Sequence, residues 1–127
     1  MRVALDTSRY ADLCRGDEQV VATLETADSV HLPFVVLAEL RAGFAVGRHG
    51  ARNERVLRQF LMKDGVALLF PDDQTTHHYA TVFRQLREQG TPIPTNDIRI
   101  AALVLQHNLA LCARDRHFGH LPPLTLV

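Results

Sequence analysis

Short unbroken apolar runs alternate along this chain with longer stretches in which apolar residues recur every three or four positions. "RVAL" (2–5) is continuous and stops at Asp6, the pattern of a strand buried on both faces. "SRYADLC" and "DEQVVATLETAD" follow as helices, with Asp17 placed to cap the second. "SVHLP" (29–33) predicts a second strand and "FVVLAELRAGFAV" (34–46) a helix, after which Gly47 and Gly50 open a loop. "ARNERVLRQFLMKD" (51–64) predicts another helix, stopped at Gly65. "VALLF" (66–70) is a third strand, and a long helix runs from Gln74 to Gln89, ended by Gly90. The stiff "TPIPTN" loop feeds a helix that starts near Asp97. "LALCA" (109–113) and "LTLV" (124–127) complete the set as fourth and fifth strands. Strands alternating with helices predict a three-layer α/β/α sandwich with a parallel sheet, in one domain spanning 1–127.

Four acids break this pattern. Asp97 heads a helical face continued by Ile100, Ala101 and Val104, where an unpaired charge is costly. Glu39 sits mid-helix with Val35 and Val36 behind it and Ala42, Gly43 and Val46 ahead, all apolar or small. Gly43 weakens that helix and is expected to admit a close approach. Asp6 terminates the first strand, and Asp115 follows the fourth with only Arg114 between. Ligand sites of open parallel sheets lie beyond the carboxyl ends of the strands, where strand order reverses. If the first and fourth strands are neighbours, Asp6 and Asp115 face each other there, with Glu39 and Asp97 leaning in from flanking helices.

Four carboxylates in one half-buried crevice raise one another's pKa unless a cation joins them. A donor set made of oxygen, with no His or Cys, points to Mg²⁺ or Mn²⁺ over zinc. Such ions activate water and stabilise a leaving oxygen in phosphodiester hydrolysis. Asp6 or Asp97 alone could be an ordinary helix-terminal acid, and Thr7 and Ser8 could cap the first helix. It is the joint pattern that carries the chemistry.

Composition changes the picture little. Hydrophobic residues make up 46% and charged residues 22%, which excludes a disordered or fibrous chain. No apolar run approaches a bilayer span, and the first residues lack a signal-peptide core, so a cytoplasmic location is expected. Cys14 and Cys112 have no metal-type spacing and are expected as reduced structural thiols. Of 14 cationic residues only Lys63 is not Arg, and Arg48, Arg52, Arg55 and Arg58 form a loose cluster in "VGRHGARNERVLRQF" that reads equally as a solvated helix face or a phosphate contact. Setting aside the four acids leaves 14 bases against 10 acids, a balance of +4 that would suit an RNA backbone. Arg9 and Arg114, each close in sequence to a key acid, are candidate phosphate contacts. His77 and His78 point about 100° apart on a helix and cannot chelate together. His117 and His120 are assigned surface or packing roles.

The stretches "LDTS" around Asp6, "AELRAG" around Glu39, "PIPTNDIRIAA" around Asp97 and "RDRHF" around Asp115 together resemble PIN domains, and specifically the VapC-type toxins of toxin–antitoxin pairs. The resemblance covers essentially the whole chain. It implies a Mg²⁺- or Mn²⁺-dependent endoribonuclease silenced by a cognate VapB-like antitoxin, homodimers, and a parallel sheet in the order 3-2-1-4-5. By position, Asp6, Glu39, Asp97 and Asp115 correspond to the family's acidic quartet, Ser8 to a small polar position near the first acid, and Asn96 to the residue before the third. One departure stands out: Ala113 replaces the Thr or Ser common two residues before the fourth acid, which would loosen the support of the metal site. The alternative reading is a weak or inactive PIN-like module that binds RNA or a partner. Aspartate-nucleophile phosphatases want an Asp where Ser8 stands, and receiver domains want a late Lys that this chain lacks.

Overall fold

The computed structural model describes residues 1–127. Five parallel strands form one sheet: β1 (Arg2–Leu5), β2 (Ser29–Pro33), β3 (Val66–Leu69), β4 (Ala110–Cys112) and β5 (Thr125–Leu126). Their spatial order is β3-β2-β1-β4-β5, the order expected above. Val3 lies opposite Val30 on one side and Ala110 on the other, so β1 is the central strand. Val3, Ala4 and Leu5 are all fully buried, which explains why this strand reads as an unbroken apolar run.

Helices cover both faces of the sheet. They are α1 (Thr7–Cys14), α2 (Glu18–Thr26), α3 (Phe34–Val46), α4 (Gly50–Leu61), α5 (Asp73–Gln89) and α6 (Thr95–Gln106). Asp17 caps α2 by accepting from the Val20 N–H at 3.1 Å, as anticipated. Asp72 and Thr75 form a reciprocal box at the start of α5, and Gly90 ends that helix in the left-handed region at φ +71°. No helix is long and apolar enough to cross a membrane.

Several boundaries differ from the sequence reading. α4 ends at Leu61, three residues before Asp64, and the chain turns through Gly65 at φ +80° into β3. The Gly65 carbonyl accepts from the Val30 N–H at 2.7 Å, so the turn is fixed by pairing with the neighbouring strand. α6 begins at Thr95, two residues before Asp97, because Pro94 has a backbone suited to the N-cap and its carbonyl accepts from the Asp97 N–H at 3.0 Å. Asp97 therefore lies in the first turn. A short 3-10 helix over Arg116–His120 gave no periodic signal in five residues. Phe118, Leu121 and Leu124 bury this segment against the core.

Expectations for α3 need correction. Ala42, Gly43 and Val46 are exposed, so the face ahead of Glu39 does not enter the core. Val35, Ala38 and Ala42 instead line an open groove of about 570 Å³ shared with α5 and α6. An apolar helix face bordering a groove looks the same in sequence as one facing a core. Nor does Gly43 admit a close neighbour, since a Cβ there would meet nothing within 4 Å.

Candidate active site

Asp6 ends β1 and caps α1 in the same step: its N–H donates to the Cys112 carbonyl on β4 at 3.2 Å, and its Oδ1 accepts from the Arg9 N–H at 2.8 Å. This places a carboxylate, only 5% exposed, where the first and fourth strands meet. Burial pushes its pKa up to about 6; the Arg9 N–H bond opposes the rise, and the charges of Asp115 and Asp97 add to it.

Asp97 reaches the same place from α6 and is half-buried. Burial raises its pKa as well, against the hydrogen bond from His117, and the charges of Asp115 and Glu39 raise it further. Glu39 enters from α3, half-buried, with its Oε1 accepting from the Thr7 hydroxyl at 2.8 Å. Asp115 is the most open of the four. Its Oδ1 accepts from the His117 N–H at 2.9 Å, which caps the 3-10 helix. Asp6 thus feels Asp97 and Asp115, and Asp97 feels Asp115 and Glu39. The structure brings the four predicted acids together at the carboxyl edge of β1 and β4.

His117 belongs to this group, contrary to the surface or packing role expected of it. Its Nδ1 lies 2.9 Å from Asp97 Oδ2 and 2.9 Å from Asp115 Oδ1. Ligand atoms of Asp97, Asp115 and His117 all fall within 4.8 Å of one another. The donor set at the crevice is therefore carboxylate oxygen with one imidazole, not oxygen alone. The sequence did carry a faint signal: an acid that caps a helical turn holds the residue two positions on against its own side chain.

The supporting residues fall out unevenly. The hydroxyl that touches Glu39 comes from Thr7, while Ser8 sits half-buried in the same turn. Thr7 also puts a hydroxyl at the site despite Ala113, which packs against the core. Asn96 borders the groove beside Glu39, and its Oδ1 accepts from Arg99 at 2.9 Å. Arg9 turns its guanidinium away, to Asp12 at 3.2 Å and Gln19 at 3.2 Å. Arg114 stays about half exposed beside Asp115. Of the thiols, Cys112 is buried in β4 and Cys14 is exposed, and both are free.

The crevice suits a divalent cation. It offers several carboxylate oxygens from four separate elements, and Asp6 is buried among like charges that Arg9 offsets only in part.

A sheet of this order with an acid-lined crevice at its central edge defines a class. The PIN domain family model matches residues 3–122, and the chain belongs to that family. Within it, the kinship is with VapC-type toxins. The chain is 29% identical over 115 residues to Ribonuclease VapC1 of Haemophilus influenzae (strain R2866), covering 87% of this chain and 84% of that protein. It is 30% identical over 121 residues to Toxin FitB of Neisseria gonorrhoeae, covering 89% and 87% respectively. The fold matches VapBC2 from Rickettsia felis, solved bound to a DNA fragment from its promoter, with a TM-score of 0.87 at 23% identity over 100% of this chain and 98% of that one.

Proposed function

We propose that this VapC-type protein is a Mg²⁺- or Mn²⁺-dependent endoribonuclease, the toxin of a type II toxin–antitoxin pair. The observation that carries the reading is the chain of like charges at the crevice: Asp97 and Asp115 act on Asp6, whose pKa burial and like charge push up to about 6, and Glu39 acts on Asp97. Asp6 and Asp97 would hold the cation, with Glu39 and Asp115 contributing directly or through water. A bound divalent ion supplies an acidified water and offsets charge on the phosphoryl group. The protein's own part is positional. The Arg9 N–H orients Asp6, Thr7 orients Glu39, and the 3-10 helix cap orients Asp115. His117 lies against both Asp97 and Asp115 and must turn aside, or share the site, when an ion enters.

The partners follow the same reading: a VapB-like antitoxin, and a second copy of the chain. Exposed aromatic rings, Phe34 with Phe70 and Phe83 against the half-buried Tyr79, offer an apolar face for the homodimer. We place the protein in the cytoplasm, acting as one unit over 1–127.

The test is cleavage of total cellular RNA by purified protein with Mn²⁺. Fragments should form, vanish with chelator, and be absent with Asp97→Asn. Ala113 favours the second reading, a PIN-like module that binds without cutting; a protein that retains RNA or antitoxin yet never cleaves with Mn²⁺ present would establish it. Glu39→Gln should weaken Mn²⁺ binding about tenfold or more, since a positioned acid near a metal carries that much affinity. Calorimetric titration reads this directly, and unchanged affinity would remove Glu39 from the donor set.

A further inference from the structure

One carboxylate outside the quartet gathers three arginines. Asp12, on α1, has a side chain only 13% exposed, and its Oδ2 lies 3.2 Å from Arg9 Nη1 and 2.9 Å from Arg114 Nε. Its Oδ1 lies 3.3 Å from Arg15 Nη1. Three cations on one anion leave a surplus of two positive charges, which no surface ion pair requires.

The three arginines are not equivalent. Arg9 is a strut: it is 13% exposed, both terminal nitrogens are bonded, and its Nε is buried without a partner. Arg114 is 56% exposed and pairs with Asp12 through charge, its Nε 2.9 Å from Oδ2, with the guanidinium open to solvent. Arg15 is 70% exposed and engages Asp12 through one terminal nitrogen. An exposed guanidinium drawn to an acid at one nitrogen still has donors for a phosphate, which it can grip in bidentate fashion. The cluster also adjoins the acids through the backbone. Arg114 directly precedes Asp115, and the Arg9 N–H is the group that holds Asp6.

We infer that Asp12 organises Arg114 and Arg15 into a clamp for a backbone phosphate of single-stranded RNA, next to the phosphate at the carboxylates. The inference rests on the nuclease reading for its ligand and assigns Asp12 as a positioning residue.

The experiment uses the full chain carrying Asp6→Asn, with Mn²⁺ present, and measures binding of a fluorescent single-stranded RNA across salt concentrations. Adding Arg114→Ala should weaken binding about tenfold on any sequence and flatten the salt slope by about 0.7, one phosphate contact on a single strand. Asp12→Asn supplies the sharper sign. It adds one positive charge, so charge alone predicts tighter binding, whereas loss of the clamp predicts weaker binding, rescued by Asp12→Glu. Tighter or unchanged binding by Asp12→Asn, or an unaltered slope for Arg114→Ala, overturns the clamp. In the cleaving protein, Arg114→Ala should raise KM and largely spare kcat. A wild type that binds with these dependences and never cleaves would sink the nuclease reading and leave the clamp standing.

Discussion

Asp6→Asn should abolish RNA cleavage, by about a thousandfold or more, the scale seen when a group that stabilises transition-state charge is lost. Growth arrest on overexpression should disappear with it. The same change should make the metal-free protein more stable at neutral pH. Asp6 titrates near 6 in the fold against an ordinary value of 3.8, so between those values the native state holds a proton that the unfolded chain has lost. Stability attributable to this group therefore falls as pH rises through that window. Above it, the ionised carboxylate costs the fold about 3 kcal/mol. Asp97 and Asp115 face it with like charge, Arg9 offsets part of that, and His117 stands between the other two. Asn keeps the helix cap, since its side-chain oxygen can still accept from the Arg9 N–H. Thermal melts of metal-free wild type and variant should differ most near pH 7 and converge by about pH 4. Retained toxicity, or a variant no more stable at pH 7, would contradict the assignment of Asp6.

Phe118→Ala is expected to be the most damaging single core change near the site. The ring is 1% exposed, and removing it leaves a cavity worth about 3–5 kcal/mol. The effect should also reach the chemistry. Phe118 follows Asp115 and His117 by three residues and one, and the side chains that fix this segment to the core are Phe118, Leu121 and Leu124. Cleavage measured in the cold, where the variant is still folded, should drop by more than the folded fraction does. Phe118→Leu, which refills most of the volume, should recover both properties. Activity that merely tracks the folded fraction would show that the ring stabilises the protein without holding the two residues in place.

The order of elements was plain from the sequence because each carries its own punctuation. The continuous apolar run "VAL" is buried on both faces, "SVHLP" buries Val30, Leu32 and Pro33, and 29–33 and 34–46 coincide with β2 and α3. Helix ends were less accurate where backbone pairing from elsewhere decides them, as Val30 decides the turn at Gly65. Asp97 was rightly placed at the head of a buried stripe, for Ile100, Ala101 and Val104 are all buried. Glu39 was found for a partly mistaken reason: its neighbours line a groove. His117 was missed because its partners meet it through an irregular five-residue turn with no period to read. Asp12 was passed over because Arg9 and Arg15, three residues either side, make it look like an ordinary helix-surface acid. Its third arginine lies beyond three intervening strands and five helices in the chain, where local pattern gives no warning.

Strand β1 occupies the middle of the sheet, yet its second flank is filled by β4, which follows it only after six helices and two other strands. On a translating ribosome, the earliest strand must wait with one edge open until the late one arrives. Products that terminate before Asp115 would lack one wall of the crevice, however well their first half folded. A protein that cuts RNA would thus be kept harmless to the message encoding it until Asp115 has emerged, by the sequence of assembly alone.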